Sequence, residues 1–185
     1  MAKRQSTYLD LHQQALVRLI EQCARRHRRH DVFRDFCELA ALSISNRVDL
    51  LQYDAREARY LEIIQRYERE EVEYFPRMLA HLLESLEGGH KDALGPIFEA
   101  LQLADHYRGQ FFTPWEVSRL MAKMLFSGAA AEIERKGFIT LMEPAAGAGG
   151  MVIAAASALL DEGVNYQQTM HATLIDIDAM ACHMC

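Results

Sequence analysis

The stretch Glu143-Pro144-Ala145-Ala146-Gly147-Ala148-Gly149-Gly150 decides how this sequence is read. It follows a short apolar run, Phe138-Ile139-Thr140-Leu141-Met142, and precedes an alanine-rich segment reaching from Gly150 to about Asp161. A nearly continuous apolar run of this length is the pattern of a strand buried on both faces, and the segment after it reads as a helix. A second run, Ala172-Thr173-Leu174-Ile175, ends in Asp176-Ile177-Asp178. Strand, glycine turn, helix and strand make one βαβ unit, whose strands are parallel and joined by a right-handed crossover. Gly147 and Gly149 permit a tight turn and let a ligand approach the main chain closely. The first amides of the following helix favour an anionic group there. The spacing lacks the third glycine of G-x-G-x-x-G and the Lys-Ser or Lys-Thr of a P-loop, so neither of those signatures applies. A turn that serves only strand-to-helix packing is the plainer alternative. Asp176 stands where an acid accepts hydrogen bonds from ribose hydroxyls, with a solvated strand end as the alternative. Asp178, just ahead of Ala179-Met180-Ala181-Cys182, suits an N-cap.

Upstream the chain changes character. Tyr8, Leu9, His12, Leu16, Leu19, Ile20 and Cys23 recur at helical spacing, which predicts an amphipathic helix from Ser6 to about Arg29. Asp31 can cap a second helix that places Phe33, Phe36, Cys37 and Ala40 on one face. A third pattern runs from about Asp54 to Leu86, with a kink or restart expected at Pro76. Glu87-Gly88-Gly89-His90 and Gly95-Pro96 punctuate the chain, so the passage from an all-helical half to an α/β half falls near Gly88 to Gly109. Between the halves lies Gln110-Phe111-Phe112-Thr113-Pro114-Trp115-Glu116. Taken alone it reads as helix capping: Thr113 as N-cap, Pro114 at the first helical position, Glu116 closing a capping box, and Phe112 with Val117 as a hydrophobic staple.

The 185 residues carry a net charge of −6, which excludes a generally basic nucleic-acid coat protein but not a local basic patch. Arg25-Arg26-His27-Arg28-Arg29-His30 is such a run, either a solvated helix end that suits the helix dipole or a phosphate contact. Four scattered cysteines do not make a disulfide framework, and Cys182-His183-Met184-Cys185 has no second pair at zinc spacing, so no metal site is expected. No signal peptide and no span long enough for a bilayer are present, and a soluble cytoplasmic protein is expected.

Phe112-Thr113-Pro114, the Glu143 to Gly150 turn and Asp176-Ile177-Asp178, in that order, resemble the amino-proximal motifs of N6-adenine DNA methyltransferases, in particular the modification subunits of type I restriction-modification systems. In that family the first motif reads roughly F-[YF]-T-P and packs beside the methionine part of S-adenosylmethionine. The second, roughly D-P-A-C-G-S-G-G, forms the methionine-binding turn, and the third supplies the ribose acid. By position the resemblance implies that Phe112, Thr113, Pro114, Glu143, Gly147, Gly149, Gly150 and Asp176 bind the cofactor. Glu143 replaces the usual Asp, Ala146 the Cys and Ala148 the Ser, which keeps the acid and the glycines.

The family's catalytic motif, Asn or Asp followed by Pro-Pro and an aromatic residue, holds the flipped adenine. The four prolines here, Pro76, Pro96, Pro114 and Pro144, are never adjacent, so no catalytic residue is assigned. The expected fold is therefore α/β: a helical N-terminal domain over residues 1–90, then over 91–185 the first βαβ portion of a Rossmann-like S-adenosylmethionine-dependent methyltransferase domain, truncated before its catalytic motif. The function implied is adenine-N6 methylation of DNA in a restriction-modification system, by a fragment inactive on its own. The alternative is a non-catalytic module that binds cofactor, DNA or subunits. The partners implied are DNA and a specificity or other restriction-modification subunit, with no membrane and with self-association of a truncated sheet.

Overall fold

The first helix does not begin where the periodicity alone would start it. Asp10 forms a capping box: the Gln13 N–H donates to Asp10 Oδ1 at 2.8 Å, and the Asp10 N–H donates to Gln13 Oε1 at 2.9 Å. That reciprocal pairing satisfies two amides at once, and it makes Asp10 the start of α1 (Leu11–Cys23). The computed structural model describes residues 9–101, 103 and 112–185. Ser6 and Tyr8 of the expected helix, and Gln110 and Phe111 of the later motif, lie outside them. The chain divides into two compact units, residues 1–88 with 93–108 and Met184 forming one, and 89–92 with 109–183 and Cys185 the other.

In the first unit, α1 is followed by α2 (Arg29–Val48), α3 (Tyr53–Ile64), α4 (Arg69–Val72), α5 (Tyr74–Leu86) and α6 (Gly95–Ala100). Leu16, Leu19, Ile20 and Cys23 on α1 are buried, with α5 as the main packing partner through Phe75 and Met78. Phe33 and Phe36 of α2 complete the core, and Phe33 meets Phe98 of α6 with ring centroids 5.9 Å apart. Burial of these side chains contributes roughly 1.5–3 kcal/mol each. Asp35 is buried among them: its Oδ2 accepts from the Tyr67 hydroxyl at 2.9 Å, and its Oδ1 accepts from Arg34 at 3.0 Å. Burial and the Asp35 charge together push the Tyr67 phenol far above its usual range.

Three expectations for this half are corrected. The first helix ends at Cys23 rather than near Arg29, so the arginine run does not sit on a helix C-terminus. Instead Arg25 and Arg26 lie in a turn, Arg28 is the N-cap of α2, and Arg29 and His30 are in its first turn, where cations oppose the dipole. Arg26 pairs with Glu68 and His27 with Glu71 at 3.3 Å, which ties the turn down. Asp31 falls within the first turn of α2, not at its cap. The long third pattern breaks once more than expected, between α3 and α4. The restart expected near Pro76 does occur, at Tyr74, and places Pro76 in the first turn of α5, where its missing N–H costs no helical hydrogen bond.

The second unit contains α7 (Trp115–Leu125), α8 (Ala129–Lys136), β1 (Ile139–Glu143), α9 (Gly150–Asp161), α10 (Tyr166–Thr169), β2 (Met170–Leu174) and α11 (Ala179–Met184). β1 and β2 pair in parallel, Ile139 opposite Met170 through Glu143 opposite Leu174. The crossover between them is α9 followed by the short α10. Small residues let α9 pack closely: Ala154 and Ala158 meet Ala122 of α7, beside Trp115 and Phe126. Leu159 meets Ala129 and Ile133 of α8, with Ile139 and Met170 of the strands alongside. The strands are not buried on both faces as their apolar runs suggested. Burial alternates along each, and Met142 is 66% exposed. An apolar run shows what a strand could bury, while the alternation shows that only one face is covered among the described residues. The fold is thus mostly helical with a small parallel sheet of two strands. No described helix is long and apolar enough to cross a membrane.

Candidate functional site

The glycine turn leaves β1 at its carboxyl end, where parallel sheets place their ligands. Gly147 has φ +53° and Gly149 φ +80°, both in the left-handed region open to glycine. The ladder continues into this turn: Ile175 N–H donates to the Glu143 carbonyl and Ala146 N–H to the Ile175 carbonyl, each at 2.9 Å. Gly149 is the N-cap of α9 and supplies no side-chain cap, so the leading amides of that helix face the turn without a capping oxygen.

Beside the turn is a cleft of about 240 Å³. Phe112 and Thr113 line it together with Glu143, Ala145, Ala146, Gly147, Ala148 and Gly150. Asp92, Met121 and Met151 complete it. The Phe112 ring lies against Gly147 so closely that a Cβ on that glycine would come within 3.1 Å of Phe112 Cδ1. Five of the eight residues singled out in the sequence thus face one cleft: Phe112, Thr113, Glu143, Gly147 and Gly150.

The other three stand beside it in different roles. Pro114 is the N-cap of α7, with φ −55° and ψ 138°. The capping reading of this segment fails as a result: the helix starts one residue late, no side chain caps it, and Thr113 is exposed at the cleft instead. Val117 is 45% exposed, so it is not stapled under Phe112. Gly149 backs onto Cys185, whose Cα lies 3.4 Å from where a Cβ would be. Asp176 does not line the cleft. Its Oδ2 accepts from the Gly147 N–H at 2.8 Å and its Oδ1 from the Asp178 N–H at 2.9 Å, so the strand-end acid clamps the glycine turn. A carboxylate offers about four acceptor positions, which leaves capacity for further donors. Asp178 caps α11, accepting from the Met180 N–H at 3.0 Å, as expected.

The Cys185 thiol donates to the Gly147 carbonyl at 3.1 Å and the Cys182 thiol to the Asp176 carbonyl at 3.6 Å. Burial, then the neighbouring Cys182 and Asp176, push the Cys185 thiol up to about 11. The Cys185 group therefore packs against the turn as a thiol. Met121 and Met151 carried no sequence signal beyond helical periodicity, and Asp92 carried none. A larger cleft, of about 600 Å³, lies at the opposite end of β1 around Gly128, Lys136 and Phe138. Lys136 and Glu132 pair there at 2.5 Å, and it is remote from the carboxyl ends of the strands, where ligands bind.

A family model described as N-6 DNA methylase matches residues 89–185, just over half of the chain. The chain belongs to the N-6 DNA methylase family. The matched region contains the whole cleft together with both strands. No curated protein and no solved structure matches the chain.

The composition of the cleft suits the cofactor that such methylases generally use. Glycine backbone and uncapped helix amides suit a carboxylate, Glu143 and Asp92 suit an ammonium, and the Phe112 ring with two methionines suits an apolar or sulfonium segment. At about 240 Å³ the cleft is smaller than the usual range for whole small-molecule ligands, about 300–1,000 Å³.

Proposed function

We propose that this chain carries the cofactor-binding part of an adenine-N6 DNA methyltransferase of the restriction-modification type. The observation that carries the reading is the convergence of Phe112, Thr113, Glu143, Gly147 and Gly150 on one cleft at the carboxyl end of a parallel strand pair. S-adenosylmethionine, when bound, supplies an already activated methyl group, so the protein's part is binding and alignment. Phe112 and Thr113 hold the methionine side, Gly147 to Gly150 receive its carboxylate, and Asp176 orients the turn and offers its remaining acceptor capacity to the ribose. Pro114 and Gly149 set the backbone on either side.

The architecture behind this is a helical domain through about residue 90, followed by the opening βαβ portion of a Rossmann-like methyltransferase domain. Within these 185 residues no Asn-Pro-Pro or Asp-Pro-Pro segment exists to hold a target adenine. We infer that these residues alone bind cofactor without transferring methyl groups, and that a specificity or other subunit and DNA are the partners of the active assembly. In the helical part, Arg25, Arg28 and Arg29 are exposed and make no ion pair among the described residues, which suits phosphate contact.

Titration calorimetry of the 185-residue chain with S-adenosylmethionine tests the binding claim. Measurable affinity that Gly147→Asp abolishes, through steric and charge conflict with the methionine carboxylate, supports it. Affinity unchanged by Gly147→Asp refutes the site. Labelled methyl incorporation into adenine-containing DNA by this chain alone refutes the division between binding and transfer.

A further inference from the structure

Three metal-ligating side chains meet on the helical unit, far in sequence from the motifs above. His12 lies on α1, and His81 and Glu84 are three residues apart on α5, the helix against which α1 chiefly packs. His12 Nδ1 is 3.4 Å from His81 Nδ1 and 2.7 Å from Glu84 Oε2, and His81 Nδ1 is 3.6 Å from the same Oε2. The imidazole centroids are 5.6 Å apart, much farther than the two Nδ1 atoms, so both rings turn those nitrogens toward each other.

No single proton shared among these three atoms joins all of them. If the His12 Nδ1–H donates to Glu84, then His81 Nδ1 as an acceptor has no hydrogen pointed at it. As a donor it is too far from Glu84, at 3.6 Å, and it faces another N–H across 3.4 Å. If both rings are protonated, two cations face each other over a single carboxylate oxygen. A divalent cation accepts all three lone pairs at once. The triangle of ligand atoms also has the right size. Metal–nitrogen and metal–oxygen distances of about 2.0–2.2 Å in a tetrahedron place ligands about 3.3 Å apart, and the three separations bracket that value.

We propose that His12, His81 and Glu84 form a binding site for a borderline divalent cation of the zinc type, with water in the fourth position, that clamps α1 to α5. Two imidazoles and a carboxylate select zinc, cobalt or nickel over magnesium and calcium, which prefer all-oxygen sites. The side chains are 31–51% exposed, so the cation exchanges with solution. The site does not depend on the cofactor cleft or on the chain's enzymatic reading.

Tag-free protein of full length, with Cys182→Ser and Cys185→Ser introduced to remove competing thiols, is titrated with Zn²⁺ against a chromophoric chelator and with Co²⁺ followed by visible absorption. The expected result is one equivalent bound, with the intense visible bands of four-coordinate Co²⁺. Changes outside the ligand set lower metal affinity by about 10–100-fold, so His81→Asn should exceed that loss and Glu84→Gln should approach it. His171→Asn, at an exposed strand position, should leave binding intact. Far-ultraviolet circular dichroism shows whether each variant keeps its helices. A variant that unfolds is replaced by His12→Gln, so that the comparison is always between folded chains. Stoichiometric binding that survives the His12→Gln, His81→Asn double change overturns the proposal, as does the absence of binding by the unaltered site.

Discussion

The two units of this chain solve the problem of a core with different materials. In the helical unit the fully buried side chains are large: Phe33, Phe36, Phe98, Leu16, Ile20, Ile63 and Met78. Among the described residues of the α/β unit the buried positions are mostly alanines, with Leu159 as the one large side chain fully enclosed. Its large apolar residues lie outside instead, Leu120, Met124 and Leu125 on α7 and Met142, Ile175 and Ile177 at the strands. The first unit is stabilised by side-chain volume. The second relies on close backbone approach, on a glycine turn and on hydrogen bonds at that turn, which suits a segment shaped around a ligand more than around its own interior.

Core truncation should give the sharpest contrast. Phe36→Ala is expected to lower stability by about 3–5 kcal/mol, and Leu159→Ala in the other unit by about 2–4 kcal/mol. Urea unfolding read separately by probes in each unit checks this, and an equal, small effect from Phe36→Ala would remove the basis of the comparison. Next is the buried acid. Asp35→Ala leaves the Tyr67 hydroxyl without its acceptor and strands part of the arginine charge, for an expected loss of about 3 kcal/mol. A loss below about 1 kcal/mol in the same unfolding experiment would mean that water replaces the carboxylate there.

Gly147→Ala is expected to cost about 1–2 kcal/mol for the left-handed backbone alone, with the Phe112 ring giving way by a few tenths of an ångström. Gly163→Ala, at φ +76° with nothing within 4 Å, carries the same backbone cost without the contact. The difference between the two in thermal denaturation isolates what Phe112 contributes, and no difference would show that the ring does not press on the turn. The smallest expected effect is from acid. The Arg56 hydrogen bond holds the Asp49 carboxyl below its usual range, Arg59 and then Arg66 do so for Glu62, and Lys136 does so for Glu132. These pairs add stability above the ordinary carboxylate range of about pH 4–4.5 and lose it as pH falls through the lowered folded values. Two of the three are in the helical unit, so that unit should soften first as pH falls below the ordinary carboxylate range. Melting at stepped pH decides the order.

How much of this could be read from the chain depended on whether the controlling interaction was local. Helix α9 runs from Gly150 to Asp161 as expected, because a positive-φ glycine and a block of alanines specify both its start and its body. The start of α7 was misread because Thr113, Pro114 and Glu116 satisfy every local rule for a cap. What decides the matter is Phe112 settling against Gly147, a contact 35 positions away in sequence. The strand runs did not reveal which face would be covered, since Met142 and Leu141 are equally apolar and only packing distinguishes them. Among the site residues, Gly147, Gly149 and Asp176 were visible from the strand, turn and helix pattern, Phe112, Thr113, Pro114, Glu143 and Gly150 came through the family resemblance, and Asp92 and Met121 joined the cleft only through the fold. The meeting of His12 with His81 spans 69 positions, and neither residue carries a local signature.

The Asp176 carboxylate accepts directly from the Gly147 amide, and this has a spectroscopic consequence. An amide proton shared with a charged oxygen at 2.8 Å resonates well downfield and exchanges slowly with solvent, apart from the crowded glycine region of a nitrogen-correlated spectrum. Any donor that draws the carboxylate toward itself loosens that proton, so this one resonance moves whenever the acid at the end of β2 changes allegiance. The clamp therefore works as a built-in gauge, in which a change in what the Asp176 carboxylate accepts is registered at the Gly147 amide.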